Sequence, residues 1–287
     1  MSTPPIPFVG GIVRRWRVIP ILMMCGALAA GCSSGSTKAD PGATSTKAPA
    51  EPIGLAKPLN HVVAFALSTT LLSNVKFTMT STVHGDGQPA KVTADGLYDM
   101  RHHIGELDIT ASDGPVRSGH EVLQPQEIYF TTGDPAKGPW SNVHRTDVQT
   151  LHLLRPPAND PAYLLVQARS IVDVTKKGVE SINGLTNVTR YTGVLPPVSM
   201  LQGAVSGERD HLASFLKAMP KSFTPVDVWI DEHDRVARVT ETISAESAGY
   251  SGTITIDVSA YGIDVKPVIP KNSKRVQINE VPQHLLR

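Results

Sequence analysis

The chain is poor in the features that most often declare a function. Its 287 residues include two cysteines, aromatic residues make up 5%, and the formal net charge is +1. Two cysteines cannot build a disulfide framework, so stability has to come from a buried core. A near-neutral charge, with no basic run beyond the N-terminal region, excludes the footprint of a nucleic-acid-binding protein. The main apolar run of the N-terminal region, Val18–Ala30, has thirteen residues and contains Pro20. That falls well short of the about 20 residues a spanning helix needs. No internal repeat of fixed period is visible.

What is present begins around that same run. Arg14, Arg15 and Arg17 precede it, and Leu28-Ala29-Ala30-Gly31-Cys32 closes it. This order resembles a bacterial lipoprotein signal with its lipobox, although Ala29 stands where leucine is commoner. Small residues at 29–31 let an extended segment enter a peptidase cleft. The Cys32 thiol is the only side chain there able to take a thioether-linked diacylglycerol. The resemblance implies that residues 1–31 are removed and that Cys25 leaves with them. It also implies that Cys32 carries the lipid and that the mature chain sits on the outer, extracytoplasmic face of the cell membrane. Export by the Sec or the twin-arginine route is left open by Arg14-Arg15. From Ser33 to Pro52, sixteen of twenty residues are Ser, Thr, Gly, Ala or Pro, too few apolar groups to offset ordering entropy. Residues 32–58 therefore read as the lipidated cysteine and a flexible tether, with an average reach of about 25 Å for twenty residues.

Beyond the tether, short β-like runs alternate with a few helical ones. Asn60–Ser73 reads as a helix with Asn60 as N-cap and Val62, Val63, Ala66 and Leu67 on one side. Phe77, Met79, Ser81 and Val83 alternate with threonines, Val92 to Met100 repeat the period of two, and Gly105, Leu107 and Ile109 do so again. Three strands with short turns predict an antiparallel meander. Glu127–Thr132 is a further strand. Asn159-Asp160-Pro161 places a capping carboxylate before a proline at the first helical position. Val179–Ile182 leads through the turn signal Asn183-Gly184 into a strand over Val188–Val194. Leu212, Phe215, Leu216 and Met219 follow helical spacing up to Pro220. Phe223–Ile230, Val236–Ile243 and Thr253–Val258 then predict a second meander, with Asp231–Asp234 as its first turn. Eight to ten strands with helices between groups of strands point to an α+β domain with a curved antiparallel sheet.

Several of these segments together resemble a known group. They are the tether, the opening helix, Val75-Lys76-Phe77-Thr78, Asp160-Pro161-Ala162-Tyr163-Leu164-Leu165, Gly178–Gly193 and Pro225-Val226-Asp227-Val228-Trp229-Ile230-Asp231. In that order they resemble the actinobacterial lipoproteins of the LppX/LprA/LprF/LprG type, which are similar in fold to the LolA and LolB lipoprotein carriers. The resemblance implies a strongly curved antiparallel half-barrel with helices over the concave face, spanning 59–265, and a C-terminal extension at 266–287. It also implies an apolar cavity holding lipid or lipoglycan acyl chains that are carried or presented across the envelope, with a transporter there as a further partner. It implies neither a cofactor nor catalytic residues.

Candidate cavity residues are Phe77, Met79, Val92, Tyr98, Leu107, Ile109, Tyr129, Leu164, Phe215, Leu216, Met219, Val228 and Ile230. Ten methylenes buried there would contribute about 8 kcal/mol before association costs. The competing reading is that these residues fill a solid core, the chain then being an envelope interaction or sensing module that works through its outer face. Trp140 and Trp229 rim the cavity entrance or simply pack. Enzyme chemistry finds less footing. Gly203-Ala204-Val205-Ser206-Gly207 sets its serine one place too late for a nucleophile elbow, and His120, His144, His152 and His211 lack a local partner pattern. His102-His103 with Glu106, as neighbours on a strand, would point to opposite faces rather than grip a metal. Asp231, Glu232 and Asp234 lack the ligand spacing of a calcium loop and read as a solvated turn.

Overall fold

The structure, a computed structural model, describes residues 58–84, 90–112, 117–147, 160–201, 223–245, 250–277 and 280–281. Helix α1 (Leu59–Thr70) is followed by β1 (Asn74–His84), β2 (Ala90–Asp99), β3 (Ile104–Ala111), β4 (Ser118–Leu123), β5 (Glu127–Thr131) and β6 (Trp140–His144). Helix α2 (Pro161–Ala168) then precedes β7 (Val172–Ile182), β8 (Leu185–Leu195), β9 (Thr224–Ile230), β10 (Val236–Ala245), β11 (Tyr250–Tyr261) and β12 (Ser273–Arg275). All twelve strands form one open, curved sheet in the order β12-β6-β5-β4-β3-β2-β1-β11-β10-β9-β8-β7. Among the described strands, only β12 runs parallel to its neighbour, β6. The α+β class and the curved antiparallel sheet are those the sequence leads one to expect. The strand number is higher.

Two meanders build this sheet, one running from β1 to β6 and the other from β7 to β11. They join where β1 pairs with β11, with Met79 opposite Ile256. Alternate rows of facing residues are mainly apolar across this seam. Met79, Ala94 and Ile109 stand opposite one another on one side of the seam. On the other, Ile256, Val239, Val228 and Tyr191 continue the same row. This face forms the core, and Val63, Ala66 and Leu67 of α1 pack into the same cluster as Leu164, Leu165 and Ala168 of α2.

Local chemistry explains most boundaries. Helix α1 starts at Pro58, which stands at the N-cap without a side-chain cap, so Asn60 falls inside the first turn rather than capping it. It ends at Thr70, earlier than expected. There Ser68, Thr69 and Thr70 turn their hydroxyls back to the carbonyls of Ala64, Phe65 and Ala66. Such back-bonding weakens a helix end. Asp160 caps α2 as expected, its Oδ1 accepting from the Ala162 N–H at 2.9 Å ahead of Pro161. The β7–β8 turn has Asn183 and Gly184 at φ of 50° and 78°, the left-handed pair that matches strand twist in a two-residue hairpin. Strands β4, β6 and β12 were not legible. Buried Glu121 interrupts the apolar alternation of β4, β6 offers one aliphatic residue, and β12 is three polar residues long.

Two glycines on the inner face let large side chains lie flat on the sheet. At Gly105 an added Cβ would meet Tyr98 Cδ2 at 2.4 Å and Leu97 O at 2.7 Å; at Gly96 it would meet Leu107 Cδ2 at 2.5 Å. The Tyr98 ring covers Gly105 and meets the Phe77 ring edge-on, with centroids 6.3 Å apart. Because the obstacle at Gly105 includes backbone, Gly105→Ala is expected to lower stability by about 1–3 kcal/mol. Urea unfolding is the measurement that checks it.

Candidate functional site

The inner face is where the expected cavity residues gather. Phe77, Met79, Tyr98, Leu107, Ile109, Leu164, Val228 and Ile230 are all buried in one continuous apolar cluster that reaches from β6 to β8. Val92 is half-buried and packs against its rim. Tyr129 does not join them. In β5 it stands opposite Val122 and Asn142, while its neighbours Ile128 and Phe130 are the residues that enter the cluster. Phe215, Leu216, Met219 and Cys32 lie outside the described residues. So do His152, His211 and the Gly203–Gly207 segment.

A polar node holds one end of this apolar face. The Asp160 carboxylate and the Arg145 guanidinium form a buried ion pair. Arg145 also donates to the carbonyls of His103 (3.0 Å) and Gln124 (2.9 Å) and to the Tyr98 hydroxyl (3.1 Å). Tyr98 in turn donates to Asp160 Oδ2 at 2.7 Å. One guanidinium thereby ties β2, the β2–β3 and β4–β5 turns and the N-terminus of α2. Burial pushes the Tyr98 hydroxyl well above its ordinary range, against the nearby Arg145 charge, and keeps it a neutral donor. His103 is held below its ordinary value, first by burial and then by Arg145. The second anchor lies under the end of α1. There the Thr70 hydroxyl accepts from Val236 N–H at 3.2 Å, and Tyr261 OH donates to Val236 O at 2.6 Å.

The remaining candidates disperse. His102 and His103 sit in the β2–β3 turn, not on a strand as expected. His102 Nδ1 lies 2.8 Å from Asp99 Oδ2, whereas the His103 ring faces Tyr163. Asp99 would be raised by burial. Hydrogen bonds from His102 and the Arg101 N–H outweigh that and hold it below its ordinary value. His120 lies across from Asp108 (2.8 Å) and Glu106 (3.5 Å) and edge-on to Trp140, with no serine, threonine or cysteine bonded to it among the described residues. Asp231 accepts from the His233 and Arg235 N–H groups and pairs with the Arg235 guanidinium, which makes it a turn-former. Trp229 packs on the outer face with Val188 and Ala237, between the guanidinium groups of Arg190 and Arg238.

Comparison with known proteins adds little detail. No protein-family model matches the chain, and no curated protein matches it. Among solved structures, it is similar to the LolA superfamily protein NE2245 from Nitrosomonas europaea, at 9% identity and a TM-score of 0.32, over 72% of this chain and 94% of that one. It is similar at 9% identity and a TM-score of 0.32 to the Pseudomonas aeruginosa MucA/MucB complex structure, over 73% of this chain and 58% of the matched one. A DUF1329 family protein from Desulfovibrio piger matches at 8% identity and a TM-score of 0.26, over 73% and 94%. At such values these likenesses carry no argument about activity, ligand or partner.

The Arg145–Asp160–Tyr98 node was not foreseen. Asp160 was legible as a cap, but its second oxygen and the distant Arg145 meet only in the fold. Arg145→Met leaves a buried carboxylate without its cation and is expected to cost about 3–5 kcal/mol, whereas adding Asp160→Asn should recover part of that loss in a double-mutant cycle. His103 makes a second expectation. Folded His103 resists protonation below its ordinary value of 6.5, while the unfolded chain does not, so stability falls as pH drops below 6.5. Thermal unfolding of His103→Gln against the parent should show a shallower decline over that window.

Proposed function

We propose that this chain is a membrane-anchored lipoprotein that binds the acyl chains of a lipid or glycolipid on the inner face of its sheet and carries or presents them across the cell envelope. Anchoring through Cys32, placement on the outer face of the cell membrane, kinship with the actinobacterial LppX/LprA/LprF/LprG lipoproteins and an envelope transporter as partner belong to the same proposal. The observation that carries it is the inner face itself. Its buried residues form one continuous apolar cluster across most of the sheet and under both described helices, and acyl chains can join such a cluster without polar machinery.

One observation favours a second reading, an interaction or sensing module with a filled core. The expected cavity residues are already buried by the chain itself, Tyr98, Leu107 and Val228 completely. On the carrier reading, cargo enters by displacing part of that cover. On the module reading, nothing enters.

Native mass spectrometry of the Cys32→Ala chain after incubation with a C16 fatty acid or a diacyl phospholipid separates the two. The carrier predicts a retained lipid of defined stoichiometry, competed by a second acyl ligand. A chain that takes up neither ligand, and carries none from its host, contradicts the carrier and leaves the module.

A further inference from the structure

The C-terminal stretch that leads to β12 exposes an apolar tip inside a basic surface. Val268 is 81% exposed and Ile269 48%, and Lys266 and Lys271 flank them in sequence. Directly after this tip, residues 270–274 and 136–140 enclose an open cleft of about 790 Å³ that includes Lys137, Trp140, Lys271 and Lys274. Lys137 leans on Asp134 at 3.1 Å and Lys266 on Asp264 at 2.6 Å, both at the exposed surface. Lys271 and Lys274 have no ion pair among the described residues. The base beneath is firm. Arg275 pairs with Glu127 at 2.7 Å, Ser273–Arg275 join β6, and Val276 packs against the core.

We propose that this surface docks the domain on an anionic phospholipid bilayer, with Val268 and Ile269 entering the interfacial region and the lysines facing lipid phosphates. Two exposed aliphatic side chains are far too little for a protein interface, which takes about 800 Å² from each partner. They do suit a shallow insertion, where a few apolar groups and several basic ones act together. Trp140, with its Nε1–H bonded to Pro135 O at 3.1 Å, has the amphipathic ring favoured at that depth. The inference rests on the membrane-anchored reading and adds to it which face meets the bilayer.

Hydrogen exchange of the full chain in vesicles tests it, comparing phosphatidylcholine alone with phosphatidylcholine containing 30% phosphatidylglycerol. Residues 262–277 should gain protection in the anionic vesicles only, and 0.5 M salt should reverse it. In the Cys32→Ala chain, Lys271→Gln/Lys274→Gln should weaken binding to the anionic vesicles about tenfold or more, and in the full chain Val268→Asp/Ile269→Asp should abolish the protection. Equal exchange in both vesicle types, or protection that survives Val268→Asp/Ile269→Asp, overturns the docking surface. Acyl-ligand uptake measured on the same variants keeps the two readings apart, because the docking variants should retain uptake even when they no longer settle on the bilayer.

Discussion

The arrangement hangs on one buried ion pair. Arg145 follows the last antiparallel strand of the first meander, Asp160 opens α2, and between them the Tyr98 hydroxyl and two turn carbonyls complete the donors and acceptors. A charge pair in so dry a place contributes little net stability over an apolar substitute, but it is intolerant of misalignment. What it supplies is position. It fixes the start of α2 over the sheet, and through Tyr98 it fixes the row of side chains on which the apolar face begins.

From that point the fold follows from register. Facing residues in neighbouring strands share a face, so one apolar row at Met79 propagates to Ile109 on one side and to Tyr191 on the other. Gly96 and Gly105 let Leu107 and Tyr98 lie flat, which keeps the inner surface smooth. The two edges are treated differently from the middle. Strand β7 is broken in register at three places and carries Lys176 and Lys177, and the opposite edge ends in the three-residue β12. Both devices discourage a further strand from adding there. This leaves the two faces of the sheet and its loops as the surfaces available for function.

Much of this was legible in the sequence, because alternation and turn chemistry are local signals. The β1–β3 meander, the Asp160-Pro161 start of α2, the Asn183-Gly184 turn and the β9–β11 meander all follow from such signals. What escaped depended on distance. Strand β4 hides behind buried Glu121, β12 exists only because β6 accepts it, and Arg145 gains its meaning from a partner fifteen residues away that local spacing does not connect. The candidate residues were read as a set on one face. The structure places eight of the described ones there and Val92 at the rim, with Tyr129 on the other side of β5, a turn of one residue in register that alternation beside Ile128 and Phe130 could have revealed.

The central claim is that acyl chains reach this inner face. Photocrosslinking with a diazirine-bearing fatty acid, followed by peptide mapping of the full chain, tests it most directly. The account predicts adducts on inner-face residues such as Met79, Leu107 and Val228, competed by unlabelled lipid. Adducts confined to residues off the inner face, such as Leu97 and Tyr129, or none above background, would contradict it.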